Sequence, residues 1–309
     1  MSQSATAADA AAPPFGMVDL ALIGVVSFWG INFVIAKVAL DQFLPLSFAA
    51  LRVVLAALTL AAIVKLGRPR IRLTRQDRRQ IFLLGLVGFG ITPILFINGL
   101  ARTTATNTAI MQAMVPILVG ATNHICRLER MSVRGWTGAA LSLMGIAMVI
   151  FSGSDGLALG SGSFQGNLLM LAAIVGWASY IVMARPLLKR LPAEIVTTNC
   201  LLIGAAGLVI VASPSLATQD WSLVTPYGWT ALALSGLFSL GLCNVVWSRG
   251  IQRLGGTRTS LYGHLTPVVA VSAGILFLQE NLVPAQMIGA ACVVAGIFLT
   301  RHSRGQGIG

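Results

Sequence analysis

The chain has 309 residues, of which 56% are hydrophobic and only 10% are charged, and its formal net charge is +12. A soluble domain carries charges on about a quarter of its residues, so this composition excludes an ordinary soluble enzyme, a disordered protein and a disulfide-stabilised secreted domain. The 4 cysteines lie in or beside apolar segments without CxxC spacing, which indicates neither a disulfide framework nor a zinc site. A polytopic membrane protein remains.

Apolar runs of membrane-spanning length follow one another along the whole chain. A helix needs about 20 mostly apolar residues to cross the hydrocarbon core. The runs predict ten transmembrane helices and an all-α integral membrane protein, since they lack the alternation of barrel strands. Tails at residues 1–16 and 302–309 flank the spans, whose predicted limits are 17–40, 45–66, 80–100, 106–126, 133–151, 166–185, 193–213, 228–248, 257–278 and 284–301.

Basic residues gather on one side of this ten-span arrangement. All of the 21 Lys and Arg residues except Lys37, Arg52 and Arg102 lie in the loops and the tail of that side. Because positively charged loops remain in the cytoplasm, we expect a multi-pass protein of the cell inner membrane with both termini cytoplasmic. Because membrane topology accounts for the positive charge in this way, the charge is not a sign of nucleic-acid binding.

The two halves of the sequence resemble each other. A shift of 148 aligns Trp29 with Trp177 and Lys37 with Arg185, and a shift of 151 aligns the later residues. Five spans in each half make the second copy enter from the opposite side, which predicts two inverted-topology repeats at residues 17–151 and 166–301. Such repeats are typical of transporters, with symmetric channels and scaffolds as the alternative. The pairs at a shift of 151 are Gly85/Gly236, Gly90/Gly241, Gly99/Gly250, Arg102/Arg253, Thr106/Thr257, Pro116/Pro267, Glu129/Glu280, Gly138/Gly289 and Gly145/Gly296.

The segment RTTATNTAIMQAMVPILVGATNHICRLERMSVRGWTGAALSLMGIAMV resembles the EamA-type repeat of the drug/metabolite transporter superfamily. The second half shows the same frame, from GGTRTSLYGHLTPVVAV to LQENLVPAQMIGAACVVAGIFLT, and SFAALRVVLAAL around Arg52 is similar to the second helix of that repeat. The resemblance covers residues 17–301 and, within the superfamily, is greatest to YddG-type amino-acid exporters. It implies a central cavity lined by helices 1, 3, 4, 6, 8 and 9. The similar elements in the first half are Thr103–Ala105, Pro116, Glu129, Gly138 and Gly145.

Aromatic and polar side chains share faces of helices 1, 6 and 8, and helices 3, 4 and 9 offer further side chains of these kinds. In helix 1, for example, three such side chains follow the i, i+3, i+4 spacing that places residues on one face. Aromatic walls with a few hydrogen-bonding groups bind small amphipathic molecules, and an aromatic face attracts an ammonium group. The alternative is that these side chains only pack helices together. The predicted substrate-binding residues are Trp29, Asn32, Phe33, Phe96, Asn98, Gln112, Trp177, Tyr180, Asn244, Trp247, Tyr262 and His264.

Two of the basic residues within predicted spans, Lys37 and Arg52, differ from the loop residues because they do not belong to the basic side. Lys37 is placed near the outer surface, where the simplest interpretation is that its side chain snorkels to the lipid headgroups. Arg52 is placed about 10 Å below the outer end of helix 2. It is either a structural arginine, in an ion pair or bound to carbonyl groups, or a residue that holds a substrate carboxylate.

Other local patterns predict helix ends and helix contacts. Thr74 and Asp77 have the spacing of a capping box at the start of helix 3. Prolines within three spans predict kinks: Pro93, Pro116 and Pro267. Two faces of small residues predict close helix packing, within the fold or in a homodimer: Gly138, Ser142 and Gly145 in helix 5, and Ala285, Gly289 and Gly296 in helix 10.

Motifs for catalysis and cofactor binding are missing from the sequence, which has no GxxxxGK[ST] phosphate loop, no HExxH and no acidic metal motif. No Asp or Glu lies in the middle of a span, so His264 is the remaining candidate proton carrier, with a structural histidine as its alternative. We expect a transporter, without enzymatic activity or cofactor, that exports amino acids or similar small zwitterions by alternating access. The alternatives are a drug or quaternary-amine exporter and a membrane channel or scaffold.

Overall fold

Helices form in each long stretch of the chain that the structure describes. The computed structural model describes residues 16–67, 71–127, 131–151, 162–254, 259, 262–263 and 265–302, and no β-strand occurs in these ranges. Among the described residues, 7 helices are long and apolar enough to cross a membrane, and two shorter ones, Leu265–Leu278 and Pro284–Leu299, are apolar. The prediction of an all-helical membrane protein is confirmed, whereas the number of ten spans stays a prediction.

The helical elements are numbered here to match the predicted spans. Two of them, α3 and α8, are α-helices with a π-helical segment inside, and α4 is divided into two short helices. The elements are α1 (Met17–Ala39), α2 (Pro45–Gly67), α3 (Arg75–Gly85, π-helix Leu86–Ile91, Thr92–Arg102), α4 (Ala105–Gln112 and Val115–Ile125), α5 (Val133–Phe151), α6 (Gly162–Leu188), α7 (Ala193–Thr218), α8 (Pro226–Ala233, π-helix Leu234–Leu242, Cys243–Leu254), α9 (Leu265–Leu278) and α10 (Pro284–His302).

Of the three prolines that predict kinks, Pro116 and Pro267 lie near helix starts, whereas Pro93 lies inside α3. Pro116 lies in the first turn of the second half of α4, directly after the turn at Ala113 and Met114. Pro93 follows the π-helix of α3, and Pro267 lies in the first turn of α9. Since proline has no N–H to donate, the positions of Pro116 and Pro267 cost their helices few hydrogen bonds.

The capping box predicted at the start of α3 is confirmed. The Thr74 Oγ1 accepts a hydrogen bond from the Asp77 N–H at 3.1 Å, and the Thr74 N–H donates to Asp77 Oδ2 at 3.0 Å. The second carboxylate oxygen of Asp77 accepts from Arg190 Nη2 at 2.9 Å. The start of α3 is thereby tied to the segment between α6 and α7.

The two small-residue faces meet each other, as α5 packs against α10. A Cβ atom placed on Gly289 would lie 2.6 Å from the Gly145 carbonyl oxygen, and one on Gly296 would overlap Ser142. The Ser142 hydroxyl donates to the Val293 carbonyl at 3.2 Å. Close packing within the chain is confirmed, and it joins the last helix of each half.

Helices of the two halves make matching contacts across the fold. Helix α1 packs on α8 and α9, and its equivalent α6 packs on α3 and α4. In the same way, α2 packs on α8, and its equivalent α7 packs on α3. A Cβ atom on Gly85 of α3 would lie 2.7 Å from the Cys200 carbonyl oxygen of α7. One on Gly236 of α8 would lie 3.0 Å from the Arg52 carbonyl oxygen of α2. The sequence repeat therefore corresponds to a repeat of helix contacts, in which Arg52 and Cys200 occupy equivalent positions.

Candidate functional site

One aromatic face of α1 lies against the π-helix of α8. The indole N–H of Trp29 donates to the Ser239 carbonyl at 2.9 Å, and the ring centroids of Trp29 and Trp247 lie 5.1 Å apart. A π-helix leaves backbone groups available for outside partners, and such segments are frequent at functional sites. Asn32, one turn further along α1, is buried, and its Oδ1 has no hydrogen-bond partner among the described residues.

A second aromatic pair joins α1 to α3. The rings of Phe33 and Phe96 lie 5.9 Å apart. They pack in one cluster with Ala105 and Ala109 of α4 and Ala270 of α9. Four of the six helices expected to line a cavity therefore meet at this pair.

The aromatic residues of α6 lie on the other π-helix, that of α3. Trp177 stacks on Tyr180 with ring centroids 5.0 Å apart, and both contact the Phe89 ring edge-to-face, at 5.8 and 5.2 Å. Tyr180 is buried and belongs to the main hydrophobic core, while Trp177 is half-buried. Trp177 is thus placed on α3 as its repeat equivalent Trp29 is placed on α8.

The predicted amide side chains use part of their hydrogen-bonding capacity locally. Asn98 donates to the Ile94 carbonyl at 2.9 Å and accepts from Arg102 at 3.2 Å. Asn244 donates to the Leu240 carbonyl at 2.7 Å. Gln112 is half-buried at the end of the first half of α4, next to the turn that divides this helix.

Tyr262 lies at the end of the bundle where α1 begins. Its hydroxyl donates to Asp19 Oδ1 at 2.5 Å, and Asp19 is buried. The structure therefore places Tyr262 away from the Phe33–Phe96 pair and beside the start of α1. His264, the twelfth predicted residue, lies outside the described residues.

Lys37 does not snorkel to the surface but binds the end of α3, which corrects the simplest interpretation of its position. Its Nζ donates to the carbonyl oxygens of Leu100 at 2.7 Å and Thr103 at 2.6 Å. Glu280 completes the junction, since its two carboxylate oxygens accept from the Ala105 and Thr106 N–H groups at 2.8 Å. A cation at the C-terminus of one helix and an anion at the N-terminus of the next satisfy otherwise unpaired backbone groups.

Arg52 is the most deeply buried basic residue among the described residues. It is 5% exposed, and its guanidinium carbon lies 5.6 Å from the ring centroid of Phe96 and 5.9 Å from that of Phe48. Its Nη1 donates to the Ser235 hydroxyl at 3.3 Å. Sequence reasoning singled out Arg52 but gave no signal for Ser235, which contributes from the π-helix of α8.

Phe33, Phe96, Arg52 and Ser235 are joined by these contacts into one apolar, aromatic region with a hydroxyl group and a cation. Such a lining binds an amphipathic molecule whose polar ends match the fixed groups. No cluster of metal-ligating side chains occurs in the part of the chain that the structure describes.

Known proteins are similar to this chain over nearly its whole length. An uncharacterized transporter, YyaM of Bacillus subtilis, is 29% identical, with 89% of this chain and 90% of YyaM covered. A probable amino-acid metabolite efflux pump of Escherichia coli K12 is 30% identical, with 91% and 93% covered. A solved crystal structure with 18% identity has the same fold, with a TM-score of 0.63 and coverage of 92% of this chain and 98% of that one.

A family comparison matches both halves of the chain separately. The EamA-like transporter family matches residues 16–151 and again residues 164–301. The two matches agree with the repeat of helix contacts and with the resemblance noted from the sequence. The chain therefore belongs to the EamA-like transporter family.

Proposed function

We propose that this transporter exports amino acids or similar small zwitterionic metabolites by alternating access. The two halves, residues 17–151 and 166–301, form inverted repeats of five spans each in the inner membrane, with both termini in the cytoplasm. The protein acts without a cofactor or enzymatic step, and the concentration gradient of the substrate drives export. Membrane lipids surround the protein.

The two equivalent tryptophan junctions carry this proposal. Trp29 of the first half lies on the π-helix of α8, and Trp177 of the second half lies on that of α3. Alternating access in transporters with inverted repeats exchanges the conformations of the two halves around one site. Two junctions at equivalent positions, each crossing from one half to the other with different contacts, fit a protein that holds one of two exchangeable conformations.

The substrate class is supported by relatives and by the lining. Probable amino-acid metabolite efflux pumps of Escherichia coli and Salmonella typhimurium are 30% and 29% identical to this chain. The aromatic rings offer faces for an ammonium group and for an apolar side chain. Asn32 and Arg52 add an acceptor and a cation, the groups that a zwitterion requires.

A competition experiment tests the substrate class. Purified protein is reconstituted into liposomes, and uptake of labelled amino acids and of labelled tetraethylammonium is compared at equal concentration. We expect the liposomes to take up labelled amino acids. Unlabelled amino acids reduce this uptake by competition, whereas unlabelled tetraethylammonium does not. Uptake of tetraethylammonium without amino-acid uptake would instead establish a quaternary-amine exporter.

A further inference from the structure

Arg52 carries a charge that the described part of the chain does not neutralise. Its guanidinium contacts Phe48, Phe96 and Ser235, and no carboxylate of the described residues forms an ion pair with it. The single hydrogen bond is long, at 3.3 Å, and the Nε–H has no partner among the described residues. A buried cation without a counter-ion and with donors unused is costly, and such residues inside membranes mark functional sites.

The fold itself does not require a cation at this position. The equivalent position in the second half is Cys200, whose backbone lies against Gly85 as that of Arg52 lies against Gly236. Cys200 is fully buried, and its thiol lies 3.6 Å from the Ile81 carbonyl oxygen. A small neutral side chain is therefore sufficient for packing in this helix contact, so the charge of Arg52 serves another purpose.

Polar groups on α8 and α1, connected to Arg52 through Ser235 and the Trp29–Ser239 contact, suit a zwitterion. Ser235 lies one turn of the π-helix from Ser239, the residue whose carbonyl binds Trp29. Asn32 lies one turn from Trp29 on α1 and holds a buried amide oxygen without a donor. Guanidinium and hydroxyl donors match a carboxylate, and an unused amide oxygen matches an ammonium group.

We propose that Arg52, with the Ser235 hydroxyl beside it, binds the carboxylate of the exported substrate. The rings of Phe96 and Phe48 flank the guanidinium and leave its donor edge for the anion, while Asn32 accepts from the substrate ammonium group. This assignment rests on the proposed export of zwitterions and specifies which residue recognises their acidic group.

Binding measurements on four purified proteins test the proposal: wild type, Arg52→Gln, Arg52→Lys and Cys200→Ser. The probes are L-phenylalanine, 3-phenylpropionate, which lacks the ammonium group, and 2-phenylethylamine, which lacks the carboxylate. Binding is measured by equilibrium titration in detergent, with the folded fraction checked by size-exclusion chromatography. The apolar rings of Phe33 and Phe96 motivate the choice of a phenyl group.

We expect wild type to bind L-phenylalanine and 3-phenylpropionate. Arg52→Gln weakens the binding of both by about tenfold or more, because it removes charged hydrogen bonds, and changes 2-phenylethylamine binding by less than about twofold. Arg52→Lys keeps the charge but loses the planar fork, so its affinity for the two carboxylates is intermediate. Cys200→Ser, at the equivalent position, leaves the affinity for all three probes unchanged.

Folded Arg52→Gln protein that binds both carboxylates like wild type would overturn the proposal. If Arg52→Gln does not fold, Arg52→Lys decides the matter, because equal weakening of all three probes would show a structural role. Wild type that binds 3-phenylpropionate through Arg52 but does not bind L-phenylalanine would keep the carboxylate site and refute amino-acid export. Wild type that binds neither carboxylate would refute the role of Arg52.

Discussion

Trp29 and Trp177 occupy equivalent positions in the two halves but make different contacts. Trp29 donates a hydrogen bond to a backbone carbonyl of the facing π-helix, whereas Trp177 stacks on Tyr180 and meets the edge of Phe89. The half-buried ring of Trp177 therefore offers a surface for stacking that is held in place by other rings.

We predict that Trp177→Ala weakens substrate binding by about tenfold or more. The substitution removes a stacking surface worth ~1–3 kcal/mol of binding free energy. The control is Trp136→Ala, because Trp136 is 41% exposed and contacts His124 edge-to-face at 5.4 Å. Affinity is measured by titration of folded protein with the amino acid that gives the highest uptake. Equal affinity of Trp177→Ala and Trp136→Ala would show that Trp177 is only a packing residue.

The role of single residues followed from the sequence when the partner was close in the chain. Thr74 and Asp77, three residues apart, cap α3 as predicted. The sequence also marks Lys37 and Arg52 as unusual, but it does not reveal their partners, which are distant in the chain: Leu100, Thr103 and Ser235. Only the packing of α1 on the end of α3, and of α2 on α8, brings these groups together.

At the scale of helices, the contact between α5 and α10 depends on the absence of side chains. We predict that Gly145→Ala lowers the free energy of unfolding by ~1–3 kcal/mol, since its Cβ would overlap the Gly289 carbonyl oxygen and lie 2.9 Å from Cys292 Cβ. The control is Gly24→Ala in α1, where nothing lies within 4 Å of the added atom. The midpoint of thermal unfolding in detergent reports the difference. A midpoint for Gly145→Ala equal to that of Gly24→Ala would contradict the close contact.

The start of α4 depends on a carboxylate from outside the helix. We predict that Glu280→Gln destabilises the protein by ~1–3 kcal/mol, because the charged hydrogen bonds to the Ala105 and Thr106 N–H groups are lost. Asp41→Asn is the control, since Asp41 is exposed and lies just beyond the C-terminal end of α1. Both midpoints are measured by thermal unfolding in detergent. If the two substitutions have the same small effect, Glu280 does not hold this helix start.

Helix existence was predictable, but irregularities within helices were not. Apolar length predicted α1, α2 and α3, and small residues at one-turn spacing predicted the α5–α10 contact, because both signals are local. The π-helix Leu234–Leu242 receives a hydrogen bond from Trp29 of another helix at Ser239, a contact that no local sequence pattern predicts. Pro116 predicts a kink in α4, but the structure divides this helix just before the proline, at Ala113 and Met114.

At the scale of the whole molecule, the proposed orientation of the two halves rests on the charge of the loops. We predict that, in a cysteine-free background in intact cells, a cysteine at position 154 reacts with a membrane-impermeant maleimide and one at position 72 does not. Arg72 belongs to the most basic loop, which the positive-inside rule places in the cytoplasm. The reverse labelling would overturn the orientation, and labelling of both positions from outside would refute an odd number of spans between them.

Trans-stimulated flux tests most directly whether the chain is a carrier with one site between its halves. Proteoliposomes are loaded with an unlabelled amino acid, and the initial uptake of the same labelled amino acid is measured over a range of external concentrations. A carrier that works by alternating access gives saturable uptake that the internal amino acid accelerates and that Arg52→Gln reduces. Uptake that rises linearly with concentration and does not depend on the internal amino acid would show a channel. Absence of uptake for every amino acid and cation tested would contradict transport.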